Sequence, residues 1–224
     1  MEYAKKLKNI KSIRIQSNGR RLSDYIYCKD LVEAGVNEFF ISIYGHNSKI
    51  HDSLTRRKGS FLETIRGLEN LMKLKVDVIT NTVVTKLNYK FLPRTIEKVS
   101  ALKNIKQIEF WNYLPMNAID DCNLLESNIN IRPPLIMAIE EAIRNKKEIL
   151  IKYFPECLLG KYKFCLNNEQ SDIIIDERFW GRYKHNFFCC LFKPICRSFQ
   201  CLGLPSAYIK KFGNDYKIIS PISE

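Results

Sequence analysis

The sequence predicts an α/β protein: a parallel sheet flanked by helices over the first two-thirds, then a small cysteine-rich C-terminal subdomain. Three observations carry this. Short apolar strands alternate with helical stretches of about ten to fourteen residues, the pattern of right-handed βαβ units. One strand, Phe39 to Ile43, is apolar on both faces, as in a sheet covered on each side. From about Glu156 the helical periodicity stops, and six of the eight cysteines (157, 165, 189, 190, 196 and 201) lie beyond that point. The expected division is residues 1–152 for the α/β part and 153–224 for the cysteine-rich part.

Ile13 and Ile15 alternate with polar neighbours and predict a first short strand, broken by Asn18-Gly19. Ser23 and Asp24 can cap a helix from Tyr25 to Ala34, with Leu31 and Val32 inward and Gly35 suited to the left-handed position after it. The Phe39–Ile43 strand follows. Ser60 and Glu63 have the spacing of a capping box, and Leu62, Ile65, Leu68, Leu71 and Met72 continue at helical spacing. Val76 to Val84 is a third strand. Pro93 fits the first turn of a helix whose stripe is Ile96, Val99 and Leu102. Ile105 to Trp111 is a fourth strand, and Pro133-Pro134 is expected to open a helix with Ile136, Ile139 and Ile143 inward. Four strands do not close a barrel.

The chain has 224 residues, 46% of them hydrophobic, enough for one real core with a small appendage. Its net charge of +12 comes with abundant Lys, Ile and Asn, as an AT-rich coding sequence produces. The charge is spread along the chain rather than gathered in one run, which argues against a nucleic-acid footprint. No run of about 18 apolar residues suggests a membrane span, and no apolar signal core follows Met1-Glu2-Tyr3-Ala4-Lys5-Lys6. The expected compartment is therefore the cytoplasm. There disulfides are disfavoured, and clustered cysteines point to metal or redox chemistry.

Several segments resemble the radical S-adenosylmethionine (radical SAM) enzymes. Ile15-Gln16-Ser17-Asn18-Gly19-Arg20 resembles a strand end of their barrel, and Leu31 to Val36 followed by Ile41-Ser42-Ile43-Tyr44-Gly45-His46 resembles the next helix–strand pair. His51 to Arg56 with Gly59-Ser60-Phe61, Asn81 to Asn88, and Phe110 to Pro115 match the loop and strand exits after it. The five occur in family order over about residues 10 to 118. The tail resembles that of members carrying an additional iron–sulfur cluster: Pro155-Glu156-Cys157, Cys196, Cys201-Leu202-Gly203, Tyr208, Phe212-Gly213 and Pro221.

The resemblance implies a partial parallel (βα) barrel lacking its first two strands. The family holds its catalytic 4Fe–4S cluster with a CxxxCxxC loop, because soft anionic thiolates suit iron. No CxxxCxxC occurs in these 224 residues. A truncated gene, a split enzyme whose front part is a separate chain, or a fragment kept for a non-catalytic role would each explain this. The expectation is that the chain alone binds no catalytic cluster and that its first strand presents an open edge.

In parallel α/β folds ligands sit at the carboxyl ends of strands. The candidates for S-adenosylmethionine are therefore Ser17, Asn18, Ser42, Tyr44, Asn81 and Lys86, with Asn112 also at a strand exit. By the resemblance, Ser42 and Asn81 face its ribose or carboxylate; Asn18 and Asn88 can instead serve local turns. His46 and His51 lack the further ligands a metal needs, and His51-Asp52 is expected to orient its loop. For an auxiliary iron–sulfur cluster the candidate ligands are Cys157, Cys190, Cys196 and Cys201, with Cys189 and Cys165 as substitutes. Cys28 reads as a small core residue. The resemblance implies a peptide substrate. The rival reading is a zinc-stabilised binding module, since four thiolates suit zinc as well, its basic charge suiting a nucleic-acid or protein partner.

Overall fold

We describe residues 3, 6, 7, 9–115, 118–168 and 190–223 of the chain from a computed structural model. Five strands form one parallel sheet in the order β1 (Arg14–Ser17), β2 (Glu38–Ser42), β3 (Asp77–Val84), β4 (Ile105–Asn112) and β5 (Glu148–Lys152). Helices separate them: α1 (Tyr25–Glu33), α2 (Ser48–Thr55) and α3 (Ser60–Lys73), then α4 (Leu92–Ser100) and α5 (Asn128–Arg144). The tail carries 3-10 turns over Glu156–Cys165 and a short helix, α6 (Ser206–Phe212). Sequential strand order with a helix in every connection is the β-α-β pattern read from the sequence. Among the described residues, no helix is long and apolar enough to cross a membrane.

By contact density the chain falls into two compact units. The first comprises Met1–Thr82, Phe91–Glu109 and Ala138–Ile149, and the second Val83–Lys90, Phe110–Met137 and Leu150–Glu224.

In the first unit the core is Phe39, Ile41, Leu68, Leu71, Val78, Ile96 and Val99, all essentially solvent-free. Asp24 caps α1 as its sequence suggests, its carboxylate accepting from the Ile26 and Tyr27 amides at 2.9 and 3.2 Å. Cys28 is the residue α1 buries, while Leu31 and Val32 are only half-buried. At the amino ends of the strands, Glu38 receives Arg14 and Lys106, and Lys106 also reaches Asp77 at 3.6 Å. Burial alone would raise the Glu38 carboxyl, but the two cations outweigh it and hold it below its ordinary range.

Three sequence expectations are corrected. The strand β5 was not anticipated; it buries Ile149 and Ile151 in a run of five residues. Helix α5 begins at Asn128, five residues before Pro133, because Ser127 accepts the Ile129 amide at 3.2 Å and starts the helix there. It buries Leu135, Ala138, Ile139 and Ala142, and leaves Ile143 exposed. Ser60 and Glu63 do not form a capping box. Gly59, in the left-handed region at φ 85°, precedes α3, and Glu63 pairs with Arg20 at 2.5 Å.

Candidate functional site

The strand exits of the first unit are built by local hydrogen bonds. Ser17 Oγ accepts the Gly19 amide at 3.1 Å, and Asn18 Oδ1 accepts the Arg20 amide at 3.2 Å. The chain turns so tightly at Gly19 (φ 72°) that a Cβ would stand 2.7 Å from Ile41 Cγ2. Thr64 of α3 closes the turn by donating to the Asn18 carbonyl at 3.0 Å. Asn18 thus serves its own turn, the simpler of its two expected roles.

Register separates the remaining candidates. Ser42 pairs with Asn81, and Ser17 with Ile41, which pairs with Thr80. Side chains alternate along a strand. Ser42 and Asn81 therefore share the face of Phe40 and Ile79, whereas Ser17 lies on the opposite face. Asn81 is 4% exposed, and its Nδ2 has no hydrogen-bond partner among the described residues. A buried amide nitrogen with two unmet donors is costly and is the kind of group a ligand satisfies.

The loop after β2 is held by His51 and Asp52. The Tyr44 amide donates to His51 Nδ1 at 3.1 Å, and Phe61 presents its ring to the imidazole edge at 5.7 Å. Burial pushes His51 down to about 4, so it is neutral near pH 7 and works as an acceptor. Asp52 takes the Gly59 amide at 2.7 Å, and the Ser60 hydroxyl and Phe61 amide at 2.8 Å each. This carboxylate caps α3 from outside the helix. Burial opposes its charge, but the three donors win and lower its pKa. His46 contacts Asn47 at 2.9 Å and lies against Phe91, the rings tilted by 40° with centroids 5.4 Å apart. His51 thus orients its loop, as expected from the sequence.

In the second unit, Lys86 is exposed and its amide donates to the Leu124 carbonyl at 2.8 Å. Asn88 organises that loop by accepting the Thr85 amide at 2.7 Å and donating to the Val83 carbonyl at 2.9 Å. Asn112 is buried and reaches the Tyr153 carbonyl at 3.3 Å.

The same unit brings the four candidate cysteines together. Cys157, Cys190, Cys196 and Cys201 line one cavity, with Ser198 and Ser220 also on its wall. Backbone amides point at the sulfurs: Glu156 and Gly203 at Cys201, at 3.5 and 3.4 Å, and Ile222 at Cys196, at 3.4 Å. The Ser220 backbone serves Cys157. Burial raises the Cys157 and Cys201 thiols, and the amide contacts oppose that rise. Such N–H···S contacts stabilise thiolates and tune the metals they hold. Among the described residues, no three His, Cys, Asp or Glu side chains are placed to hold a single metal ion. Cys165 is buried, pushed up to about 11, and absent from the cavity wall. Cys28 is likewise a core thiol, pushed up to about 11. Cys189 lies outside the described residues. Sequence reasoning missed Ser198 and Glu156, although each lies within three residues of a candidate ligand.

Comparison with known proteins bears on the first part of the chain. The Radical SAM superfamily model matches residues 1–99. That segment, a little under half of the chain, is thus similar to radical SAM proteins. It is 34% identical over 88 residues to an AdoMet-dependent heme synthase of Methanosarcina barkeri, covering 39% of this chain and 25% of that protein. It is 28% identical over 107 residues to a probable GTP 3′,8-cyclase of Methanopyrus kandleri, covering 47% of this chain and 34% of that protein. The chain thus spans about a quarter to a third of the length of these curated relatives. A solved Anabaena variabilis protein, described as a sugar phosphate isomerase/epimerase, aligns at TM-score 0.39 and 16% identity, over 66% of this chain and 55% of that one.

Proposed function

We propose that this chain supplies strands of a radical SAM barrel together with a tail iron–sulfur site ligated by Cys157, Cys190, Cys196 and Cys201. The observation that carries the reading is that all four thiols line one cavity, with backbone amides aimed at Cys201 and Cys196. A single zinc needs every sulfur about 2.3 Å from one centre. A cluster spreads its thiolates over several irons, and four thiols on one cavity wall can supply them. The donor set fits in kind as well: soft thiolates, partly buried, with backbone amides aimed at them.

Bound there, an iron–sulfur cluster supplies one-electron transfer or an iron site for substrate. The chain's own part is to hold the thiolates, exclude water with Leu204 and Ile219 on the cavity wall, and donate amides to the sulfurs. In the first unit, Asn81 and Ser42 are the residues proposed to meet S-adenosylmethionine, Asn81 through its unmet amide. The ancestral activity is reductive cleavage of that cofactor for radical chemistry, on a peptide by the tail's resemblance. Since these 224 residues contain no CxxxCxxC, that step needs a cluster loop supplied from elsewhere.

Anaerobic reconstitution with iron and sulfide tests both halves. The expected product is a brown protein with iron and sulfide in the tail and no 5′-deoxyadenosine from S-adenosylmethionine. A colourless protein with one zinc would favour the binding-module reading. Release of 5′-deoxyadenosine would overturn the expectation that this chain alone binds no catalytic cluster.

A further inference from the structure

We infer that Glu156 and Ser198 form a metal-independent clasp that fixes the Cys157 and Cys201 side of the cysteine cavity. The inference rests on the proposed role of that cavity. Three hydrogen bonds close a ring. The Ser198 hydroxyl donates to the Glu156 carboxylate, the Cys201 amide donates to Ser198 Oγ at 3.0 Å, and the Glu156 amide donates to Cys201 Sγ at 3.5 Å.

Glu156 precedes Cys157 directly, and Ser198 lies between Cys196 and Cys201. The ring therefore joins two ligand-bearing segments 45 positions apart in the chain. None of its members needs a metal to form it. A charged acceptor makes the Ser198 contact the strongest of the three. With the clasp closed, one sulfur is already aimed before any metal arrives, and the ordering cost of binding falls. Glu156 and Ser198 are positioning residues, since neither is proposed as a ligand.

The test uses the full chain with Ser198→Ala, Ser198→Thr, Glu156→Ala and the alanine double variant. In metal-free protein under reducing conditions, alkylation of Cys157 and Cys201 is followed by peptide mapping, with buried Cys28 as internal reference. Ser198→Ala and Glu156→Ala should each speed alkylation roughly fivefold, the factor one net hydrogen bond is worth. Ser198→Thr should match the parent, and the double variant should be no faster than either single one, because both remove one contact. After reconstitution, chelator should strip iron from the alanine variants about 10- to 100-fold faster. Parental alkylation rates in both alanine variants would overturn the clasp, as would a Ser198→Thr chain as fast as Ser198→Ala. A parent that takes up no iron would sink the cluster reading instead, while the alkylation result still decides the clasp.

Discussion

In helix α3 the chain buries Phe61, Ile65, Leu68 and Leu71 on one face and spends its polar side chains on neighbouring backbone. Asn70, for instance, donates to the Leu22 and Ser23 carbonyls at 2.9 and 3.1 Å. The cysteine-bearing loop does the reverse. Leu191, Ile195 and Phe199 are 58%, 66% and 101% exposed, while the sulfurs face inward. The first region draws its order from apolar burial, which is available to the polypeptide alone. The second has little such burial in this loop, so on the proposed reading its order comes from the Glu156–Ser198 contact and from what the thiols hold. Where ligands gather around a metal, binding free energy becomes folding free energy.

The largest effect that can break this contrast is removal of the metal. Chelation of the reconstituted protein, or Cys157→Ser with Cys201→Ser, should abolish iron binding. The tail around residues 190–201 should then become sensitive to limited proteolysis, while fragments spanning α3 survive. Equal protection of the tail with and without iron would show that its order comes from the polypeptide, and the contrast would fall.

Next in size is a pH effect confined to the first unit. Burial lowers the folded pKa of His51 to about 4. The unfolded chain binds that proton near pH 6.5. Between those values the unfolded state holds more protons, so stability is fully present above about 6.5 and declines as pH falls toward 4, by on the order of 3 kcal/mol. The Asp52, Glu38 and Glu63 carboxyls are all held below their ordinary values, so their losses come at lower pH. Denaturant titrations at pH 7, 5.5 and 4.5 should show this slope in the parent and a flatter one in His51→Gln. An unchanged slope in the variant would remove His51 as its source.

The distinction between the regions also explains what the sequence made legible. Alternation and apolar runs located β1 to β4, and Asp24 and Gly35 marked the ends of α1, because each signal is local. The capping of α3 was misread because the donors at Gly59, Ser60 and Phe61 meet a carboxylate eight residues upstream of Ser60, at Asp52. Leu62 fits the helical spacing yet is 64% exposed, since burial is decided by what a face meets. The strand β5 escaped because its apolar residues, Ile149 to Ile151, follow helix α5 with no glycine or proline to mark a new element. In the tail, the spacing of Cys157, Cys190, Cys196 and Cys201 suggested ligands by resemblance. The amides and the Glu156–Ser198 contact came only from chain segments far apart in sequence.

The smallest effect probes how tightly the first region is packed. Gly67 lies in the middle of α3, where Ala would ordinarily improve a helix by about 1 kcal/mol. A Cβ there, however, would stand 2.6 Å from the Gly19 carbonyl oxygen and 2.9 Å from Leu22 Cβ. The first of these is backbone, in the turn that follows β1, and cannot rotate away. Overpacking of this kind costs about 1–3 kcal/mol, so the propensity gain is offset and Gly67→Ala should be net destabilising by about 1 kcal/mol. Glu69→Ala, on the exposed face of the same helix, should be near neutral. Chemical denaturation of the two variants gives the sign directly. A stabilised Gly67→Ala would mean that α3 and the β1 turn are free to separate, and that the front of the molecule is looser than its burial implies.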